Sequence, residues 1–317
     1  QPVAYLGGIA VFLTFLLALS LVIEIRGELL GLLFGSTLVV MLGLFDDLKA
    51  ISPKLKLAGQ LLAAWVTLRA GITIELIALP VWLALPASVF WIIGVSNAFN
   101  IIDVSDGLSS STGAVAALAF AALAILAGDV FIACACLALA GACIGFLRYN
   151  MSPASIYLGD AGSLFIGFLL ACLSLIGSYT TRNVFAAAAP VAILFIPILD
   201  TALCSVARIA KGLSPMNGSD DHFALRLKAA GWRSNRVAGL SAGVTALMGS
   251  AAIAMVLSPP HVAAVILLCL GTVFVVALLA LYFLFPPKSE RSQLALSDDQ
   301  PTTSDSIESQ EEVLPLR

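Results

Sequence analysis

Residues 81–108 read VWLALPASVFWIIGVSNAFNIIDVSDGL. The run 81–96 is almost wholly apolar; from Asn97 onward a polar side chain recurs at every third position, Asn97, Asn100, Asp103 and Asp106, and the stretch ends at Gly107. If the segment stays helical, that spacing keeps neighbouring polar groups on one face. An apolar helix that turns one polar stripe inward builds a hydrophilic pocket at membrane depth. A simple turn at Asp106-Gly107 does not account for the two asparagines.

The rest of the chain repeats the apolar theme. Of 317 residues, 60% are hydrophobic and only 11% charged, and the mean hydropathy is +1.05. A soluble domain carries roughly 25% charged residues, so this chain has too few to clothe a water-facing surface and is read as an integral membrane protein. Runs long enough to cross about 30 Å of hydrocarbon lie near 7–24, 28–45, 55–70, 81–96, 111–127, 129–147, 161–178, 184–209, 237–257 and 262–285. They predict an all-α, polytopic fold of ten transmembrane helices, since barrel strands run to about ten alternating residues. The third run is the weakest, bracketed by Lys56 and Arg69, and Ile72-Thr73-Ile74-Glu75-Leu76 alternates as a short interfacial strand would. The chain opens at Gln1 and enters a span almost at once, which raises the expectation of a preceding helix, eleven in all.

Charge is unevenly divided. Lys49, Lys54, Lys56, Arg148, Arg208, Lys211, Arg226, Lys228, Arg233 and Arg236 fall in one set of loops, against Arg26, Arg69 and Arg182 in the other. The positive-inside rule makes the first set cytoplasmic. Residues 286–317 hold seven acids and three bases and are rich in Ser, Thr and Gln, the composition of a disordered acidic tail on the cytoplasmic side. The transmembrane domain is then 1–285. Without the tail the charge is nearly balanced and no basic patch exists, which excludes nucleic acid as a partner. Cys134, Cys136, Cys143, Cys172, Cys204 and Cys269 sit in apolar runs without metal or disulfide spacing and read as small buried hydrophobes.

The acids then sort by side. Asp46, Asp47, Asp103, Asp106, Asp160, Asp220 and Asp221 fall at cytoplasmic helix ends, while Glu24, Glu28, Glu75 and Asp129 are scattered on the other face. Asp46-Asp47 closes an apolar helix, where negative charge opposes the macrodipole and requires a cation; Lys49, Lys54 and Lys56 follow to neutralise the pair or to bind phosphate. In Asn150–Ser163, small residues flank Asp160 and let the backbone approach a ligand. A helix start there offers N–H groups to phosphate, and Asp160 can hold a divalent cation. The loop 212–236 sets His222 beside Asp220-Asp221 with Arg226, Lys228, Arg233 and Arg236 nearby, a fair ligand set for a nucleotide diphosphate. Asp200 lies inside a helix and is read as an intramembrane polar contact. Carboxylates without a row of His or Cys favour Mg²⁺, with Mn²⁺ the alternative, over Zn²⁺. Such a set at one interface suits phosphoryl chemistry between a soluble nucleotide and a lipid phosphate.

Gly43–Asp47, Asn97–Leu108, Asn150–Ser163 and Ser214–Gly231 together resemble the polyprenyl-phosphate N-acetylhexosamine-1-phosphate transferases of glycosyltransferase family 4, in order and at the expected separations, from Pro2 to about residue 240. The resemblance implies a multi-pass enzyme of the bacterial plasma membrane with a cytoplasmic active site, and a homodimer as its assembly. It implies that a UDP-HexNAc, with UDP-GlcNAc favoured, gives HexNAc-1-phosphate to undecaprenyl or another polyprenyl phosphate and releases UMP. By the same match Asp46, Asp47 and Asp160 are catalytic, Asp160 and Asp47 bind the metal, and Asp47 is the usual candidate for a base. Asn97, Asn100, Asp103, Asp106, Asn150, Gly159, Ser163, Lys56, His222 and Arg226 would bind nucleotide or substrate. A phosphate monoester with a second pKa of about 6 is already mostly dianionic at neutral pH, so the need for a base stays open.

Two departures stand out. The family often reads Asp-Gly-Leu-Asp-Gly where this chain has Asp103-Val104-Ser105-Asp106-Gly107, and its last loop often carries several histidines where this chain has His222 with Ala224 and Leu225. The absence of a His-His-His-Phe-Glu run argues for a smaller donor than UDP-MurNAc-pentapeptide. Two other classes compete. A CDP-alcohol phosphatidyltransferase shares the start of the Asp103–Gly107 motif but none of its continuation. A secondary transporter would place its acids near the midplane, not at one interface.

Overall fold

A computed structural model of the chain describes residues 4–22, 27–74, 80–177, 179–180, 183–214 and 220–286. Among them the fold is all-helical: α1 Gly7–Ser20, α2 Gly27–Leu48, α3 Pro53–Arg69, α4 Val81–Ile102, α5 Leu108–Ala127, α6 Val130–Asn150, α7 Gly159–Ile176, a 3₁₀ turn Val184–Ala188 leading into α8 Ala189–Ile193, α9 Phe195–Ala210, α10 Phe223–Ala229, α11 Ser234–Leu257 and α12 Pro260–Leu284. Local chemistry sets several boundaries. Ser52 Oγ accepts from Leu55 N with Pro53 at the first helical position of α3, and Asp129 accepts from Ile132 N at the start of α6, each satisfying an otherwise orphaned donor. Gly107 and Gly128, at φ +72° and +76°, bracket α5.

By length and composition, α2, α4, α5, α6, α7, α11 and α12 can each cross a membrane, and the 3₁₀–α8 and α9 pair makes an eighth span if taken as one. The chain is a multi-pass membrane protein. Many large apolar side chains on the helix exteriors, among them Phe34, Trp82, Phe90, Leu268 and Phe283, are exposed, the surface that lipid covers. Of the expected ten runs, α1 is only 14 residues long, about 21 Å at 1.5 Å per residue, and α3 carries Lys54, Lys56 and Arg69 within 17 residues.

Two expectations are corrected. The run 184–209 is not one straight helix: it breaks at Leu194 and bends by 74°. The described part of the expected strand, Ile72–Ile74, is not strand. Gly71, at φ +95°, ends α3 in a capping turn in which Ile72 N donates to Thr67 O, and this turn uses the backbone that a ladder would need. Glu75 and Leu76 lie outside the described residues, as does the acidic tail beyond Pro286.

The most enclosed span is α7, packed by α1, α2, α4, α5 and α6. Phe165 on α7 meets the edges of Phe12 and Phe15 from α1 at centroid distances of 5.2 and 5.5 Å. Gly43 lets the end of α2 touch the start of α7, because a Cβ there would overlap the backbone of Asp160 and Ala161. That contact brings two separated sequence motifs together, Gly43–Asp47 and the run around Asp160.

Candidate active site

The close approach at Gly43 solves the problem of two carboxylates at a helix C-terminus. Asp47 reaches across to α7, where its two oxygens accept from the backbone N–H groups of Asp160 (2.8 Å) and Ala161 (3.1 Å). A negative charge unfavourable at the end of α2 becomes favourable at the start of α7. Gly159 is required at this junction twice over: its φ is +72°, and a Cβ would press on the Asp47 carboxylate. Asp46 accepts from Ile51 N and from Lys56 Nζ, both at 2.9 Å.

Lys56, on the first turn of α3, is the hub. Its ammonium donates to Asp46, to Asp160 Oδ2 at 2.5 Å and to Asn100 Oδ1 at 3.2 Å. Asn100, on α4, donates in turn to Asp160 Oδ1 at 2.8 Å and to Ser163 Oγ at 3.0 Å, so both oxygens of Asp160 are oriented by neighbours. One turn away on each helix, Gln60 of α3 and Asn97 of α4 exchange two amide hydrogen bonds of 3.1 Å. That pair fixes the register of Lys56 against Asn100.

Asn150, 3% exposed, is a strut. It accepts from Gly107 N and Ser110 Oγ and donates to Ile156 O, tying the Asp103–Gly107 turn to the segment before α7. Asp106 accepts from Ala154 N at 3.3 Å. The N-terminal stretch zips onto the same segment: Tyr157 N donates to Ala4 O, Gly7 N to Tyr157 O and Gly8 N to Leu158 O. This sets the Tyr5 and Tyr157 rings 5.2 Å apart.

These elements enclose a cleft of about 300 Å³ lined by Tyr5, Asp47, Asp103, Val104, Ser105, Asp106, Asn150, Tyr157, Leu158, Gly159 and Asp160. Asp103 is its least satisfied carboxylate. Its carboxyl has no hydrogen-bond partner among the described residues. Burial, followed by the negative charges of Asp160, Asp47 and Asp106, pushes its pKa up to about 8. A carboxyl so placed holds a proton or faces a cation.

Asp46, Asp47, Lys56, Asn97, Asn100, Asp103, Asp106, Asn150, Gly159, Asp160 and Ser163, expected from the sequence, are thus brought into one region. His222 and Arg226 are not part of it. Both are buried, at 8% and 2% exposure, and neither lines the cleft. His222 Nδ1 lies 2.8 Å from Asp200 Oδ2. Arg226 pairs with Asp221 at 3.0 Å and donates to the carbonyls of Leu281, Tyr282 and Phe285. Asp200, expected as an intramembrane contact, is one: it is fully buried and also accepts from Phe223 N. Sequence reasoning missed Gln60, Tyr5 and Tyr157. Gln60 had a signal, a lone amide one turn after Lys56 in an otherwise apolar stretch.

The fold and the cleft define a class: an all-helical, multi-pass membrane protein that gathers carboxylates around one ammonium at the ends of its central helices. Within that class the chain belongs to glycosyl transferase family 4, the family whose model matches residues 29–178. It is 33% identical over 238 residues to a probable undecaprenyl-phosphate N-acetylglucosaminyl 1-phosphate transferase of Bacillus subtilis, a match covering 71% of this chain and 66% of that one. It is 30% identical over 274 residues to the decaprenyl-phosphate N-acetylglucosaminephosphotransferase of Mycobacterium leprae, covering 74% and 69%. A shorter match, 38% over 158 residues and 43% of each chain, joins it to a phospho-N-acetylmuramoyl-pentapeptide-transferase of Gloeothece citriformis. The chain thus spans about two thirds of the length of the first two relatives.

Proposed function

We propose that this protein transfers a HexNAc-1-phosphate, with GlcNAc-1-phosphate favoured, from a UDP-sugar to undecaprenyl or another polyprenyl phosphate, in the assembly of a bacterial cell-envelope polysaccharide. The observation that carries the proposal is the cleft itself, an under-neutralised set of carboxylates at the mouth of an apolar bundle. The names of the relatives support it. The loop-charge bias supports a cytoplasmic cleft in the plasma membrane, and counting α1 and α3 as spans brings the total to ten.

In the reaction, an oxygen of the lipid phosphate bonds to the sugar-bearing phosphorus, the bond from that phosphorus to the bridging oxygen breaks, and UMP leaves carrying that oxygen. The donor set Asp47, Asp103 and Asp160 is all oxygen, and the unpartnered Asp103 among like charges fits a hard dication. These residues would hold Mg²⁺ or Mn²⁺, which when bound shields the pyrophosphate and eases departure of UMP. Lys56 and Asn100 keep the Asp160 carboxylate aimed at the cleft. Asp47 has both oxygens committed to backbone N–H groups, which suits it to positioning more than to proton abstraction; an acceptor that is already dianionic needs no base. Tyr5, Tyr157 and Asp106, which line the cleft, would receive the nucleotide.

The test is to incubate detergent-purified protein with undecaprenyl phosphate, Mg²⁺ and a panel of UDP-sugars, following the pyrophosphate-linked lipid by mass spectrometry. The expected result is lipid product and equimolar UMP that require both lipid and metal. No product from any UDP-sugar, with turnover of a CDP-linked donor instead, would contradict the assignment.

A further inference from the structure

A second cluster of ligand-type side chains lies outside the cleft, and the transfer chemistry does not use it. Asp200 and Cys204 stand four residues apart on α9, one turn, so they share a face. His222, which precedes α10, folds back onto that face. Its Nδ1 lies 2.8 Å from Asp200 Oδ2 and 3.4 Å from Cys204 Sγ, and the three ligand atoms all fall within 4.8 Å of one another. All three residues are buried: Asp200 is 0%, Cys204 7% and His222 8% exposed.

We propose that Asp200, Cys204 and His222 form a binding site for a borderline-soft divalent ion of the Zn²⁺ class, separate from the acidic cleft. The donor set decides the ion. Mg²⁺ takes oxygen ligands, whereas zinc accepts one carboxylate, one imidazole and one thiolate together. Tetrahedral ligands at zinc bond lengths stand roughly 3.3–3.7 Å apart, so the observed separations bracket a site that closes by small side-chain adjustments. Charge favours it as well. One carboxylate and one thiolate cancel a dication, leaving a neutral assembly where an unbalanced charge would be costly.

The surroundings are already arranged for such an ion. Phe223 N donates to Asp200 Oδ1 at 2.6 Å, orienting the carboxylate with Oδ2 toward the ring, as an outer hydrogen bond does for a metal ligand. The guanidinium of Arg226 is engaged by Asp221 and by three carbonyls of α12 and its end, so its charge is countered beside the site. Binding sends the Cys204 thiol proton to solvent and moves the imidazole proton off Nδ1. The bound ion clamps the segment after α9 back onto α9, and its binding free energy adds to the stability of that contact.

The test uses the full chain purified in detergent, stripped with a chelator and titrated with Zn²⁺ against a chromophoric competitor, then with Co²⁺ by absorption. One zinc per chain, unaffected by excess Mg²⁺, and a thiolate-to-cobalt charge-transfer band are expected. Cys204→Ala is expected to abolish the band and weaken zinc binding at least about tenfold, with His222→Gln doing the same. Cys204→Ser, which keeps the volume, covers the case in which Cys204→Ala unfolds: it too must lose the band. Absence of stoichiometric zinc and of the band from folded wild-type protein overturns the proposal and leaves a metal-free hydrogen-bonded latch. Zinc uptake lost in Asp160→Asn but kept in Cys204→Ala also overturns it, by placing the ion in the cleft. Because the readout is metal binding, the result is independent of the transferase assignment.

Discussion

Around the start of α7 stand five acids, Asp46, Asp47, Asp103, Asp106 and Asp160, of which Asp46 and Asp160 pair with the ammonium of Lys56, whereas between α9 and α12 the acids Asp200 and Asp221 are matched to His222, Lys211 and Arg226. Both regions are rich in acids, and both follow apolar helices. The first opens onto a cleft and leaves Asp103 without a hydrogen-bond partner among the described residues; in the second, Asp200, Asp221, His222 and Arg226 are all buried. The difference teaches that local acidity does not mark a reaction site. Unmet charge beside a cavity does, while met charge beneath the surface braces one segment against another.

The largest effect is expected in the open region. Asp160→Asn removes the charge that Lys56 and Asn100 orient, and UMP release should fall by at least about 100-fold while the protein still elutes as a folded species. Near-normal turnover would erase the distinction between the two regions. In the closed region the loss should be of stability. Asp221→Asn takes the carboxylate from Arg226, which is 2% exposed, and breaking a buried pair costs about 3 kcal/mol. The thermal midpoint in detergent should drop, with turnover per folded molecule unchanged. A loss of turnover at full stability would move the second region into the reaction.

Asp47→Asn falls between the two. One of its oxygens becomes an N–H donor facing a backbone N–H, and the lost cap on α7 costs about 1–2 kcal/mol, measurable as a lower midpoint alongside lower activity. A further effect, spread gradually over several pH units, is a pH dependence. With its pKa raised to about 8, Asp103 binds a proton more tightly folded than unfolded. In metal-free protein its contribution is therefore fully present below the ordinary carboxyl pKa and is lost as pH rises through about 8. The midpoint in chelator should decline over that interval, more steeply than in Asp103→Asn. An equal slope in both would remove Asp103 from the account.

Much of the open region was legible because helical spacing is visible in one dimension. Asn97, Asn100 and the Asp103–Gly107 turn follow from a three-residue rhythm, and Asp46-Asp47 from the conflict between charge and helix dipole. How Asp47 resolves that conflict was not legible, since the N–H groups it caps lie more than a hundred residues away, at Asp160 and Ala161. The closed region misled for a related reason. A loop with alternating acids and bases looks like a phosphate site until it is known whether the charges face a ligand or each other. Only the fold shows Arg226 turned onto Asp221 and the end of α12. Cys204 likewise reads as one more apolar residue, one turn from Asp200 on α9, until the return of His222 brings an imidazole to both.

The most direct test of the open-versus-closed distinction is to map where a donor sits. A photoreactive UDP-GlcNAc analogue, crosslinked in the presence of Mg²⁺ and located by peptide mass spectrometry, should label the cleft lining around Tyr5, Val104 or Tyr157 and be displaced by UMP. Displaceable labelling confined to Phe223–Arg236, with none on the cleft, would contradict the account.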